Sequence, residues 1–146
     1  KAMKKVILYT QNHSRLAPIS RPPVTKERIY DAISNAAARL AENIDADTIV
    51  CQTASGLTAM TMAAQRPNVP IITVTENIRA ANQLALIYAN SAFVRPYSPD
   101  FGFDLAKELK DSEYLHTKDD EEELLAVIVS GDKDKIGTDT IKVRYI

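Results

Sequence analysis

Short apolar runs that are typical of strands alternate with helical patterns along most of this chain. The strand-like runs cover residues 48–53, 70–75, 92–97, 123–131 and 138–146. The helical patterns cover residues 26–44, 57–65, 77–89 and 102–112. Apolar strands that alternate with helices indicate a parallel sheet buried on both faces. The pattern therefore predicts a three-layer α/β fold, with helices on both faces of a five-stranded, mostly parallel sheet.

The last two strand-like runs are joined differently from the others. Only the short charged loop SGDKDKIG separates them, and it is too short for the crossover helix that parallel strands need. We therefore expect the last strand to run antiparallel to its neighbour, which makes the sheet mixed.

The 146 residues suit one domain with a single core. Residues 4–13 are apolar but of ambiguous type, and three prolines within 16–25 predict an extended linker. Thr25 is the candidate N-cap of the first long helix. We expect residues 1–24 to precede the domain and residues 25–146 to form it.

The helical patterns also predict which side chains face the core. In the first long helix, the apolar residues at helical spacing are Ile29, Ile33, Ala36, Ala37 and Leu40. In the helix at 77–89, Asn77 is the candidate N-cap. Its predicted apolar face consists of Ile78, Ala81, Ala85 and Tyr88.

Charge and cysteine content narrow the function classes. The formal net charge of −1 gives no bulk attraction to nucleic acid or to an anionic membrane. The single cysteine, Cys51, lies on a predicted core strand and forms no internal disulfide, which fits a reducing cytoplasm. We expect no secretory leader and no membrane span. The sequence thus predicts a cytoplasmic protein without a nucleic-acid or membrane partner.

The stretch CQTASGLTAM, residues 51–60, is the main candidate for a binding site. It follows a strand-like run and leads into a helical pattern, and ligands of open α/β sheets bind at the carboxyl ends of strands. The hydroxyls of Thr53, Ser55 and Thr58 could donate to an anion, and Gly56 would let the backbone approach it closely. This chemistry suits a phosphate monoester. A Ser or Thr ahead of a helix is most often only its N-cap, so both interpretations stay open.

Phosphoryl transfer by this stretch is not expected. The loop contains no Asp or Glu to hold Mg²⁺ and no His or Lys to act as a base. Neither the dinucleotide fingerprint nor the P-loop motif is present in the chain. His13 and His116 stand alone, without metal-ligand spacing, so we expect no metal site.

The order of motifs resembles the C-terminal α/β domain of pyruvate kinase. The similarity rests on RLAPIS (15–20), on TIVCQTASGLTAMTMAAQRPNVPIITVTENIRAANQLALIYA (48–89), and on AVIVSG and GTDTIKVRYI near the end. The resemblance implies that residues 1–24 include the end of a helix connecting to a catalytic (β/α)₈ barrel. It covers the chain from about Val6 to Ile146.

The resemblance implies that this domain and the barrel have different functions. The whole enzyme transfers a phosphoryl group from phosphoenolpyruvate to ADP with Mg²⁺ and usually K⁺, and its catalytic groups lie in the barrel. No catalytic residue or cofactor is therefore expected in this chain, which should be inactive alone. The domain carries subunit contacts of a homotetramer and, in many members, an allosteric site for a sugar phosphate or nucleotide monophosphate.

The resemblance also implies particular site residues. The family's phosphate-binding loop falls on Thr53, Ala54, Ser55, Gly56 and Thr58, with Ala54 and Gly56 contributing backbone groups. Leu57 stands where relatives often have a basic or polar residue. Helices of this domain build the subunit interface, which makes Arg79 and Gln83, on one face of a helix, interface candidates.

The family's second effector segment falls on GDKDKIGTDT, residues 131–140. It departs from the family pattern because it has one interior glycine, Gly137, and no aromatic residue, which argues against fructose 1,6-bisphosphate. Lys133 and Lys135 could reach an anion, although solvated turn lysines are the commoner case.

Two alternatives remain beside a regulatory and assembly domain of pyruvate kinase. The chain could be a free-standing α/β anion-binding or interaction module without catalysis. It could also be a small enzyme, but it lacks clustered carboxylates, metal ligands or a paired nucleophile and base.

Overall fold

The computed structural model describes residues 2–13, 29–118, 122–131 and 137–146. The helices are α1 (Ala2–His13), α2 (Ile29–Asn43), α3 (Leu57–Ala63), α4 (Ile78–Leu84) and α5 (Phe101–Asp111). The strands are β1 (Thr48–Gln52), β2 (Ile71–Thr75), β3 (Asn90–Val94), β4 (Leu125–Ser130) and β5 (Thr140–Tyr145). Thr25, the proline-rich linker, Lys133 and Lys135 lie outside the described residues.

The five strands form one mixed sheet in the order β3-β2-β1-β4-β5. All neighbouring strands are parallel except β4 and β5, which are antiparallel. The central strand β1 pairs on both sides, with Ile49 opposite Ile71 of β2 and opposite Val127 of β4. The predicted fold class and the antiparallel last strand are confirmed.

Two apolar layers hold the helices against the sheet. On one face, side chains of α2, α3 and α4 pack on Ile49, Cys51 and Val127. On the other face, α5 packs on Val50 and Ile128. Successive residues of a strand point to opposite faces, so the continuous apolar runs of β1 and β4 supply both layers. The prediction of helices on both faces is confirmed.

The predicted core face of α2 is correct at Ala37 and Leu40 and wrong at Ile29 and Ala36. The buried residues are Ser34, Ala37, Ala38 and Ala41, whereas Ile29 and Ala36 are exposed. Small side chains allow α2 to approach α3 and the sheet closely, and the Ser34 hydroxyl is satisfied by donating to the Tyr30 carbonyl at 2.8 Å. Hydrophobicity alone favoured the larger residues, but an exposed apolar side chain is common.

Helix α4 is shorter than predicted and ends at Leu84. Asn77 is its N-cap, as expected, because its side chain accepts from the amides of Arg79 and Ala80. The side chain of Asn90 binds the last carbonyl of the helix. Its amide group donates to the Leu84 carbonyl at 3.2 Å and accepts from the Thr73 hydroxyl. Of the predicted apolar face, Ala81 is buried, whereas Ile78, Ala85 and Tyr88 are exposed, so the prediction is wrong for these three.

Residues 4–13, left undecided by the sequence, belong to helix α1. Every side chain of α1 that the structure describes is exposed, including Met3, Val6 and Ile7. Helix α1 is therefore separate from both apolar layers. No helix in the described parts of the chain is long and apolar enough to cross a membrane.

One carboxylate ties the start of β1 to the segment that leads into β4. Asp47 Oδ1 accepts from the Lys118 amide and Oδ2 accepts from the Leu125 amide, each at 2.8 Å. The Asp47 amide donates to the Leu125 carbonyl at 2.9 Å. These bonds fix where β4 joins the sheet beside β1.

Candidate functional site: a cavity at the carboxyl edge of the sheet

A cavity of about 420 Å³ lies at the carboxyl edge of the sheet, where β1 and β4 end. Within the sheet, β1 has β2 as its neighbour on one side and β4 as its neighbour on the other. The order of the strands along the chain therefore changes direction between β1 and β4. Ligands of open α/β sheets bind at such a switch in strand order. The lining residues are Tyr30, Asp31, Ser34, Gln52, Thr53, Ala54, Ser55, Leu57, Thr58, Thr61, Glu76, Tyr97, Pro99, Phe101, Ser130, Gly131, Gly137 and Thr138.

The loop after β1 forms one wall of this cavity and is shaped by its own hydroxyls. Thr53 Oγ1 accepts from the Gly56 amide at 3.0 Å, and Ser55 Oγ accepts from the Leu57 amide at 3.4 Å. Of the five residues predicted to bind phosphate, Thr53, Ala54, Ser55 and Thr58 line the cavity. Gly56 is buried behind them.

The backbone angle of Gly56 favours glycine, and its Cα lies close against a neighbouring side chain. Its φ is +85°, in the left-handed region that favours glycine. A Cβ at this position would lie 3.2 Å from the side chain of Leu84. The loop therefore lies directly against the end of α4, and its shape depends on that contact.

A hydroxyl pair joins the loop to the residues that lead into β5. Thr58 Oγ1 and Thr138 Oγ1 are 2.6 Å apart, and Thr138 is buried. The two segments that the sequence suggested as effector-binding thus meet in the described structure. Lys133 and Lys135 lie between β4 and β5 but outside the described residues, so their role remains a prediction.

Aromatic and acidic side chains that sequence reasoning missed complete the cavity. Tyr30 covers Gly137, because a Cβ at Gly137 would lie 2.4 Å from the ring. Tyr97 stands on the opposite strand-to-helix connection and contacts Phe101, with ring centroids 5.4 Å apart. Asp31 and Glu76 add two carboxylates to the lining. No spacing rule links these residues, since they come from separate elements.

The remaining site candidates lie elsewhere. Arg79 and Gln83 are exposed on α4 and do not line the cavity, so their interface role remains a prediction. His13 stacks on Tyr9, with ring centroids 4.0 Å apart, and its Nδ1 contacts the Tyr9 carbonyl. Within the described ranges, no three His, Cys, Asp or Glu side chains are grouped to hold a metal ion.

Cys51 is fully buried in β1, and burial raises the pKa of its thiol far above the ordinary value. The thiolate is the reactive form, so the native protein should resist alkylation. We expect iodoacetamide at pH 8 to label Cys51 at least 100-fold more slowly in the native protein than in 6 M guanidinium chloride. Mass spectrometry of timed samples would measure this, and rapid native labelling would contradict it.

The fold and cavity define a class: a three-layer α/β domain with a ligand-sized cavity at the switch in strand order. Comparison with known sequences gives the family. The model of the family described as "Pyruvate kinase, alpha/beta domain" matches residues 31–144. The chain belongs to this family.

Individual relatives agree with the family match. The chain is 36% identical over 90 residues to pyruvate kinase of Geobacillus stearothermophilus, covering 60% of this chain and 15% of that protein. It is 35% identical over 77 residues to pyruvate kinase of Bacillus licheniformis, covering 53% and 13%. It is 31% identical over 96 residues to pyruvate kinase of Agrobacterium vitis, covering 64% and 20%. The chain thus spans a fifth or less of these relatives.

Proposed function

We propose that this chain acts as a regulatory and assembly domain of a pyruvate kinase and binds a phosphorylated effector in the cavity described above. One observation carries the proposal: the hydroxyl residues Thr53, Ser55 and Thr58 all line one ligand-sized cavity at the switch in strand order. Membership of the pyruvate kinase α/β domain family supports it. The phosphate is held by neutral donors of the loop, and Gly56 sets the shape of that loop through its left-handed φ.

The cavity is suited to binding rather than to transfer. Phosphoryl transfer needs cations to stabilise the charge that develops on the transferring group. The described lining residues include no lysine, arginine or histidine. The binding energy of a ligand held here would be available to shift the conformation of the domain.

The activity and partners of the whole protein are further parts of the proposal. We propose that a catalytic barrel on the same polypeptide transfers phosphoryl from phosphoenolpyruvate to ADP with Mg²⁺ and K⁺, and that residues 1–24 lead from that barrel. The α4 face with Arg79 and Gln83 would contribute to a homo-oligomer, because both side chains are exposed. The shared ancestry with long pyruvate kinases supports this arrangement.

Titration with a phosphate ester tests the site. Backbone amide signals of Ser55 to Thr58 should shift on addition of ribose 5-phosphate, because Ser55, Leu57 and Thr58 line the cavity and Gly56 lies between them in the loop. Ser55→Ala should weaken binding by about 1 kcal/mol, or about fivefold, which is the contribution of one hydrogen bond. Thr58→Ala should lose as much or more, because it also removes the contact with Thr138.

Matched variants separate binding from folding. Thr58→Ser keeps the hydroxyl and should bind almost as the parent does. Ser112→Ala removes a hydroxyl that bonds to the Leu109 carbonyl, outside the cavity lining, and should leave the affinity unchanged. Unshifted amides at residues 55–58 under saturating ester would overturn the proposal.

A further inference from the structure

A second cavity lies on the face of the sheet that α5 covers. Helix α5 lies mainly over β1 and β2, and the cavity, of about 280 Å³, opens beside it over β4 and β5. Its lining includes Phe103 of α5, Ile128 of β4, and Lys142 and Arg144 of β5. A cavity of this size suits a small molecule.

The register of β5 places two basic side chains at this cavity. Lys142 pairs with Ile128 and Arg144 pairs with Ala126, and both partners belong to the apolar layer under α5. Side chains of directly opposite residues in antiparallel strands project from the same face. Lys142 and Arg144 therefore lie on the α5 face, and both line the cavity. Because residues two apart on a strand are only about 7 Å apart, these long side chains can reach the same anionic group.

Neither of these two cations is neutralised by a carboxylate in the described structure. The ion pairs among the described residues involve other side chains. The Arg144 guanidinium donates to the Val143 carbonyl at 3.3 Å, which uses one of its five N–H donors. The only acidic residue of the described lining, Asp100, lies at the start of α5. Two basic residues and one acidic residue give this lining a net charge of +1.

We infer that this cavity binds a small organic carboxylate, with its charged group on Lys142 and Arg144 and its apolar part on Phe103 and Ile128. The guanidinium fork matches a planar carboxylate through two parallel hydrogen bonds. Phe103 and Ile128 belong to the apolar layer under α5 and provide the surface for a hydrocarbon chain or ring. A carboxylate brings one negative charge, whereas a phosphate monoester would bring about two to a lining that already contains Asp100.

Chemical-shift titration of the full chain with three probes tests this site, at constant ionic strength because charge effects are screened by salt. The probes are 3-phenylpropionate, its neutral analogue 3-phenylpropan-1-ol, and acetate, which has the charge but little apolar surface. We expect 3-phenylpropionate to shift the backbone amide signals of Lys142 and Arg144 with saturation in the millimolar range. The alcohol and acetate should each bind at least fivefold more weakly. Equal affinities for the acid and the alcohol, or no saturating shift at these residues, would overturn the inference.

Variants of the two cations test the charge contribution directly. Lys142→Gln and Arg144→Gln should each weaken the binding of 3-phenylpropionate about threefold, the scale of one exposed charge pair, and leave the alcohol unaffected. Arg144→Lys keeps the charge but loses the fork, so its affinity should fall between those of the parent and Arg144→Gln. Arg39→Gln removes an exposed charge from α2, outside the cavity lining, and should change neither affinity. Unchanged acid binding in both glutamine variants would overturn the inference.

This inference does not depend on the proposed function, although Gln52, Pro99 and Ser130 line both cavities. The amides of Lys142 and Arg144 report on the second cavity, and the amides of residues 55–58 report on the first. Shifts at 55–58 with 3-phenylpropionate, and none at the two β5 residues, would overturn this inference and leave the phosphate site standing. Saturating shifts at the two β5 residues would support it even if residues 55–58 failed to respond to ribose 5-phosphate.

Discussion

Replacement of Leu84 by alanine should lower the free energy of unfolding by about 3 kcal/mol. Leu84 is almost fully buried in the layer between the sheet and helices α2 to α4. Its truncation would leave a void that rigid neighbours fill only in part. Chemical denaturation, followed by circular dichroism, would measure the change in the unfolding midpoint at an unchanged slope.

The same substitution has a second expected effect on the loop after β1. Gly56 lies against the Leu84 side chain, so the void would open directly behind the candidate phosphate site. Hydrogen exchange of the Gly56 amide, which donates to Thr53 Oγ1, should become at least tenfold faster.

A neighbouring leucine provides the matched control. Leu86 is 91% exposed, and Leu86→Ala should change stability by less than about 0.5 kcal/mol. Equal free energies of unfolding for Leu84→Ala and Leu86→Ala would contradict the packing of Leu84 in the layer behind the loop.

Gly137→Ala should lower the free energy of unfolding by about 2–3 kcal/mol. Two costs combine: Gly137 has φ +108°, which residues with a Cβ rarely adopt, and the new Cβ would meet the Tyr30 ring at 2.4 Å. The ring would have to move, and it forms part of the cavity wall. Phosphate ester binding should therefore weaken as well as stability.

A double-mutant cycle separates the two costs. Tyr30→Ala removes the ring, so the double variant should be less destabilised than the sum of the single variants by at least about 1 kcal/mol. The backbone cost at residue 137 remains in the double variant, which should not recover the stability of Tyr30→Ala alone. Strictly additive effects would show that the ring and the glycine are not in contact.

The sheet could be predicted from the sequence because its signal is local. Runs such as 48–53 and 70–75 are short, apolar and separated by helical patterns, and each strand was found within three residues of its observed bounds. The antiparallel direction of β5 followed from loop length alone. These features depend on neighbours in the chain rather than on neighbours in space.

The buried faces and the ends of the helices could not be predicted, because they depend on contacts between elements that are distant in the sequence. Helix α2 buries Ser34 and Ala38 rather than Ile29, because close approach to α3 and the sheet requires small side chains. Helix α4 ends at Leu84, whose carbonyl accepts a hydrogen bond from the Asn90 side chain. Neither contact has a signature in the helical spacing of apolar residues.

The candidate site was predictable in its loop and in the segment 131–140, from which Gly131, Gly137 and Thr138 line the cavity. The hydroxyls and glycine of residues 53–58 form a compact sequence pattern, and four of the five predicted residues line the cavity. Tyr30, Asp31 and Glu76 could not be assigned to it, because they are brought there by the packing of α2 and by the end of β2. The presence of two carboxylates in the cavity lining is therefore a property of the tertiary structure.

The bonds of Asp47 have a consequence for how this domain can vary in length. A single carboxylate holds the amides of both Lys118 and Leu125. Residues inserted between Lys118 and Glu122 would leave the entry of β4 in place, since Lys118 and Leu125 are both fixed to the start of β1 and the buried Leu124 keeps its hydrogen bonds to Ile146. Evolution, or a protein engineer introducing a peptide tag, can thus change this interval without altering the register of the central strands.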